Sequence, residues 1–335
     1  MSRPSGKGEM EAKNQRYDDD HEEDSSNSNS DDESMDEKLG RTPSIEAFGY
    51  HYHASGKIFL PYDKDERRRI ELQHKLYRVC LDGALTSTRL PLDTAKIVDL
   101  GTGTGVWAVE MAARYPQAHI TGVDVYPIQR RKGVPPNVAF EIDDIENPWK
   151  FPDDSIDFIH MRSVAGGVRD WVALFLQAYH KLKPGGLLEM SEVALSIYDF
   201  DGKFAEAELR PDFMDVFYQF SKQVNMDFSP VADVPDWLVE AGFEKIVQHS
   251  EILPVGYWAQ DDKLKARQTL MNAITSDQYV LHGLCSLLFQ TGGYTKEEYE
   301  AIVPSFRQTL TQPGIRPYIR AVFTTARKPR ATEDA

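Results

Sequence analysis

The chain has 335 residues, 41% of them hydrophobic and 11% aromatic, enough to bury a large core in one domain with decorations. Its formal charge is -15, but residues 1 to 40 hold 13 acids and 5 bases, so the remainder is only mildly acidic. This balance argues against direct action on nucleic acid, whose binding needs clustered Lys and Arg, and no apolar run approaches the roughly 18 residues that span a bilayer.

Met1 is followed by charge rather than by an apolar signal core, which predicts an intracellular protein. The two cysteines, Cys80 and Cys285, lie far apart without a zinc-type spacing and read as reduced thiols. Residues 1–45 are rich in Ser, Asn, Asp and Glu and nearly lack apolar side chains, so they cannot repay the entropy of folding and are expected to form a disordered acidic tail.

From Phe48 the chain turns aromatic, and Asp63 to Leu85 has the apolar spacing of a helix, with Ile70, Leu72, Leu76, Val79, Cys80 and Leu81 inward and Arg67-Arg68-Arg69 on its polar face. Lys96 to Leu100 reads as a buried strand, Val106 to Tyr115 as a helix, and His119 to Asp124 as a second strand. Strands follow at Val138 to Ile142 and Ile156 to Met161. Asp153, Asp154 and Asp157 read as turn and capping residues. Trp171, Leu174, Phe175, Ala178 and Leu182 recur at helical spacing until Lys183-Pro184-Gly185-Gly186, after which Leu187 to Met190 is a fifth strand. Further on, helix-like stretches at Ala205 to Val224 and Asp261 to Phe289 surround strand-like pieces at Glu244 to Val255 and Arg316 to Ala326. Strands and helices alternating at this interval predict a doubly wound α/β fold around a parallel sheet, with a helical lead-in and a C-terminal part that completes the sheet and supplies a lid.

The chemistry concentrates after the first strand. Gly101, Gly103 and Gly105 follow Asp99 in a turn that leads into a helix, where backbone N–H groups meet a ligand. The dinucleotide fingerprint is G-x-G-x-x-G; this turn is G-x-G-x-G, and Asp99 just ahead of it would repel a diphosphate. A phosphate-free, cationic nucleoside such as S-adenosyl-L-methionine suits it better. Thr102 lies within the same turn. Asp124 ends the second strand, 23 residues after Gly101, where a carboxylate accepts hydrogen bonds from ribose hydroxyls. At the end of the third strand Asp144, one residue further into the loop than Asp143, together with Ile145 could hold an adenine, and Arg162 could face a ligand carboxylate.

Among groups with base chemistry, Tyr52, His53, His160 and Glu192 are present and none is singled out, so the catalytic base is open; His160, in an apolar strand, reads as a packed core histidine. Arg162-Ser163-Val164-Ala165 follows the fourth strand without an Asn/Asp-Pro-Pro-Tyr sequence. No metal-ligand spacing is evident.

The segments Ile97-Val-Asp-Leu-Gly-Thr-Gly-Thr-Gly, Phe140-Glu-Ile-Asp-Asp, Asp157-Phe-Ile-His-Met-Arg162 and Leu182-Lys-Pro-Gly-Gly-Leu-Leu-Glu resemble class I S-adenosylmethionine-dependent methyltransferases. Tyr52-His53, Leu60-Pro61-Tyr62-Asp63, Leu72-Gln73-His74 and Arg327-Lys328-Pro329 narrow the resemblance to the fungal LaeA-like methyltransferases associated with velvet regulatory proteins. The resemblance implies a methyltransferase domain over residues 46–330, with a cofactor-binding core over 96–192 and sheet completion and a substrate lid over 193–330. It implies a regulator of secondary metabolism or development, working in the nucleus or cytoplasm with protein partners of the velvet type or another methyltransferase-like protein. A biosynthetic enzyme methylating a small natural product and a cofactor-binding scaffold without turnover are the alternatives, since one fold serves many uses.

Overall fold

The computed structural model describes residues 43–56, 58–130, 132–203, 213–276 and 278–330. All but the last three positions of the acidic stretch expected to be disordered lie outside the described residues. There the chain enters a hairpin that the sequence reading did not anticipate, β1 (Ser44–Ala47) antiparallel to β2 (Tyr50–His53). Helix α1 (Lys64–Cys80) follows, capped by Asp63, whose carboxylate accepts from Glu66 N at 2.9 Å. It stops five residues before the expected Leu85 because Asp82 and Gly83 take positive φ and Gly83 N returns to Arg78 O at 2.7 Å. Its basic run divides: Arg68 faces water, but Arg69 is only 8% exposed and grips Glu66 through two hydrogen bonds of 2.6 and 2.7 Å, so the assignment of all three arginines to a solvated face is corrected.

The sheet has seven strands, β3 (Lys96–Leu100), β4 (His119–Asp124), β5 (Val138–Ile142), β6 (Ile156–Arg162), β7 (Leu182–Asp199), β8 (Glu244–Pro254) and β9 (Pro317–Arg327), in the order β5-β4-β3-β6-β7-β9-β8. The first five in this order are parallel, β9 runs antiparallel to them, and β8, antiparallel to β9, returns to their direction, so the α/β class holds but the sheet is mixed. β7 is far longer than the expected Leu187 to Met190. Its pairing with β6 skips from Leu182 to Leu187 over the Pro-Gly-Gly stretch and continues past Glu192 against β9. Asp157 is no turn residue: it sits in β6 and accepts from Ala95 N and Lys96 N at 3.0 and 2.8 Å and from Lys183 Nζ at 2.6 Å, tying the starts of neighbouring strands together.

Helix α2 (Val106–Arg114) covers one face of the parallel strands through Trp107 and Met111, and α3 (Trp171–Lys181) with α5 (Val234–Glu240) covers the other through Trp171, Phe175 and Leu238. A separate aromatic core joins α1, α4 (Phe213–Gln223), α6 (Asp262–Ser276), α7 (Gln278–Thr291) and α8 (Lys296–Leu310) to the long part of β7 and to β9. The stretch expected as one helix from Asp261 is helical on both sides of residue 277, as α6 and α7; residue 277 and the expected start of α4 at Ala205 lie outside the described residues. The capping box of α8, Thr295 with Glu298, was legible as T-x-x-E but not read.

Candidate active site

The carboxyl ends of β3, β4, β5 and β6 meet at one edge of the sheet, where strand order reverses and α/β proteins bind ligands. The chain leaves β3 through Gly101 to Gly105. Gly101 N and Thr102 N both donate to Val123 O, at 2.8 and 3.0 Å, which folds the turn back onto β4. Gly101 has φ 69°, and a side chain there would drive into Val164 Cγ1, so only glycine keeps the turn this close to the β6 loop.

Two carboxylates hold this turn. Asp124 Oδ2 accepts from Gly103 N at 2.8 Å and Oδ1 from Tyr126 N at 3.0 Å; desolvation outweighs these bonds and pushes the carboxyl up to about 6. Asp99 is 2% exposed, accepts from Thr102 Oγ1 at 2.7 Å and pairs with His160 Nδ1 at 2.7 Å. His160 in turn stacks on Trp107, ring centroids 3.8 Å apart and 4° from parallel. The packed histidine expected from sequence is thus also the partner that makes a buried Asp99 tolerable.

Of the residues predicted to form the cofactor site, Asp99, Gly101, Thr102, Gly103, Asp124, Asp144, Ile145 and Arg162 line one cavity; Gly105 does not, standing at the N-terminus of α2 against Phe140. Asp144 Oδ1 accepts from Glu146 N at 3.0 Å, and neighbouring Asp143 instead bonds Asn147 Nδ2 and pairs with Lys150 away from the cavity. Arg162 lies over the Tyr77 ring at 5.1 Å and donates to His74 Nδ1 at 3.1 Å, so the other ring nitrogen of His74 carries its proton toward Glu110, 3.2 Å away. Desolvation and the nearby Arg162 charge lower His74 to about 4, which keeps the imidazole neutral.

The sequence reading missed the roof of this cavity. Glu66, Arg69, Ile70 and Gln73 of α1 line it, together with Leu60 and Pro61 before the helix and Tyr126 after β4. Their spacing of i, i+3, i+4, i+7 was a usable signal for a second helix face, but it mixes charge with one apolar residue and so reads as solvated. Gln129 also braces the turn, donating to Gly103 O at 3.1 Å.

A second, larger cavity of about 280 Å³ adjoins the first and shares Leu60, Arg69, Gln73 and Ser163 with it. Its walls are largely apolar, with Phe213, Phe217, Phe228 and Phe306 prominent, and Glu192 is among the lining residues. Among the described residues no group of three His, Cys, Asp or Glu is placed to hold a metal ion, and no helix is long and apolar enough to cross a membrane.

The first cavity fits S-adenosylmethionine on its own chemistry: acceptor carboxylates suited to hydroxyls and an ammonium, a glycine turn that a Cβ would fill, the buried Ile145 side chain, and a guanidinium at the far strand. A family model described as a methyltransferase domain matches residues 71–249. The chain is 33% identical to methyltransferase pytC of Aspergillus terreus over 84% of its own length and 86% of that protein. It is 31% identical to the secondary metabolism regulator laeA of Aspergillus fumisynnematus, over 84% of its length and 75% of that protein. Among solved structures it is similar to the YcgJ protein of Bacillus subtilis, with a TM-score of 0.48 and 17% identity over 77% of this chain and 99% of that one. The chain therefore belongs to the methyltransferase-domain family, as a class I S-adenosylmethionine-dependent methyltransferase.

Proposed function

We propose that the enzyme methylates an apolar small molecule, a biosynthetic role, with Asp124 as acceptor for the ribose hydroxyls, Asp144 and Ile145 at the adenine, Asp99 toward the methionine ammonium and Arg162 toward its carboxylate. The observation that carries the choice of acceptor is the apolar cavity of about 280 Å³ that shares Leu60, Arg69, Gln73 and Ser163 with the cofactor cavity. A pocket of this kind surrounds a small ligand, whereas a protein chain would need an extended groove. S-adenosylmethionine supplies an already activated methyl group, so this chain's own part is to position the acceptor and exclude water. Helix α1 and the helices after residue 193 act as the lid, since Glu66, Arg69 and Gln73 roof the cofactor while Phe213 and Phe306 wall the acceptor.

The 33% identity to a protein named a methyltransferase supports this reading, and the 31% identity to a secondary metabolism regulator supports a second. In that second reading the acceptor is a protein, the enzyme acts in the nucleus or cytoplasm, and velvet-type or methyltransferase-like partners bring the acceptor to it. Purified enzyme with methyl-labelled S-adenosylmethionine, offered fungal small-molecule extract and nuclear protein in parallel, separates the two. Label in the extract is the expected result; label in nuclear protein alone would sink the first reading.

A further inference from the structure

Glu192 is a carboxylate where an apolar cavity has no ordinary use for one. It follows Ser191, the register partner of Arg162, on β7 at the carboxyl edge of the sheet, and is 4% exposed. Its Oε1 accepts from Val164 N at 2.6 Å and from Ala165 N at 3.2 Å. Val164 lines the cofactor cavity and Ala165 the apolar one, so these two bonds fix the carboxylate at the junction between them. Among the described residues Oε2 makes no hydrogen bond.

The cavity's other polar groups are largely committed inside the protein. Asn272 exchanges hydrogen bonds with the Gly256 backbone, Thr275 Oγ1 donates to Met271 O, Ser163 Oγ bonds Tyr77 OH, and Arg69 is held by Glu66 and Gln73. The titratable and charged side chains that line or border the space are Tyr77, Glu66 and Arg69 from α1, Arg162 from β6, the exposed Tyr257 after β8, Cys285 from α7 and Arg307 from α8. No cation is ion-paired with Glu192 among the described residues. Burying a carboxyl in this way is costly unless a partner satisfies it, and Glu192 lines the space where that partner would arrive.

Resting on the small-molecule reading above, we infer that the acceptor is a hydroxyl on an apolar aromatic ring system and that Glu192 Oε2 hydrogen-bonds this hydroxyl and takes its proton during transfer. In that step the acceptor oxygen forms a bond to the methyl carbon, the carbon–sulfur bond breaks with its electron pair going to sulfur, and the hydroxyl proton passes to Glu192. The aromatic walls at Phe213, Phe217, Phe228 and Phe306 select a ring body. Burial, only partly opposed by the Val164 and Ala165 amides, pushes the Glu192 carboxyl up to about 8, closer to a phenol than an ordinary carboxylate.

The test uses the full-length protein saturated with S-adenosylhomocysteine and titrated calorimetrically with 2-naphthol and with its methyl ether, followed by labelled transfer to 2-naphthol from S-adenosylmethionine. Wild type is expected to bind 2-naphthol at least tenfold more tightly than the ether and to methylate it at a rate rising with pH to about 8. Glu192→Leu is expected to abolish the preference while S-adenosylhomocysteine affinity stays within twofold. Glu192→Gln, which keeps the shape and the two amide contacts, is expected to bind 2-naphthol within threefold, lose roughly 10²- to 10⁴-fold in transfer rate, and lose the pH limb. Equal binding of naphthol and ether, bound naphthol never methylated by wild type, unaltered transfer by Glu192→Gln, or cofactor loss in both variants would each overturn the role of Glu192. If neither probe binds wild type while S-adenosylhomocysteine does, the small-molecule reading itself falls, an outcome distinct from the other four.

Discussion

Replacing Asp124 with Asn tests the floor of the cofactor site with one atom changed. The carboxylate now accepts from Gly103 N at 2.8 Å and Tyr126 N at 3.0 Å. The amide of Asn can accept only one of these bonds and presents an N–H₂ to the other donor. One bond to a charged acceptor is lost and one N–H is left facing a donor, together about 2–4 kcal/mol, against which stands the relief of no longer burying a charge. At about 2–4 °C per kcal/mol for a domain near this size, the melting temperature should fall by at most roughly 4–16 °C. The proposed ribose contacts lose their anionic acceptor as well, about 2–3 kcal/mol, which is roughly a 30- to 150-fold rise in the Kd for S-adenosylhomocysteine. Differential scanning calorimetry and isothermal titration at pH 7.5 measure the two losses separately. A variant that melts lower but binds within twofold of wild type would refute the ribose role and leave Asp124 a brace for the turn. One unchanged in both would refute the energetic account of the turn as well.

Gly101→Ala should weaken S-adenosylhomocysteine binding at least tenfold, because φ 69° costs a side chain about 1–2 kcal/mol and the new methyl meets Val164; adding Val164→Ala should recover part of the loss, and an equal defect in the double variant would show that the contact with Val164 is not the cause. Arg69→Met leaves Glu66 buried without its cation and should destabilise by about 3–5 kcal/mol in urea titrations, whereas Glu66→Gln combined with Arg69→Met should restore most of it; additive losses would contradict the pairing. Glu192 also carries a pH signature in stability. Its folded carboxyl is raised to about 8 from 4.5, so the folded state holds the proton longer, and the contribution is full below the unfolded value and lost as pH rises toward 8. Wild type should therefore lose on the order of a few kcal/mol more than Glu192→Gln between pH 5 and pH 8.5. Parallel melting curves across that range would exclude a raised carboxyl at this position.

The cofactor edge was legible in the sequence because its parts are local. A strand, a glycine turn and a helix are consecutive from Lys96 to Arg114, and each later strand delivers its acidic residue at its own carboxyl end, so Asp99, Asp124 and Asp144 converge once the sheet is parallel. The antiparallel placement of β9 between β7 and β8 was not legible, since apolar alternation gives a strand but not its direction or neighbours. Nor could periodicity separate a surface arginine from Arg69: both stand on a helix among charges, and only the packing of α1 over the cofactor turn decides which one loses water.

The apolar cavity belongs entirely to the tertiary structure. Leu60, Ser163, Glu192, Phe213, Met271 and Phe306 have no spacing that relates them, and they meet because α1 and the C-terminal helices close over the end of β7. By itself the sequence determined the cofactor, through a carboxylate and a phosphate-free glycine turn a few residues apart. The fold alone decided what lies beside it, because burial and the loss of hydration at Glu192 depend on neighbours more than a hundred residues away.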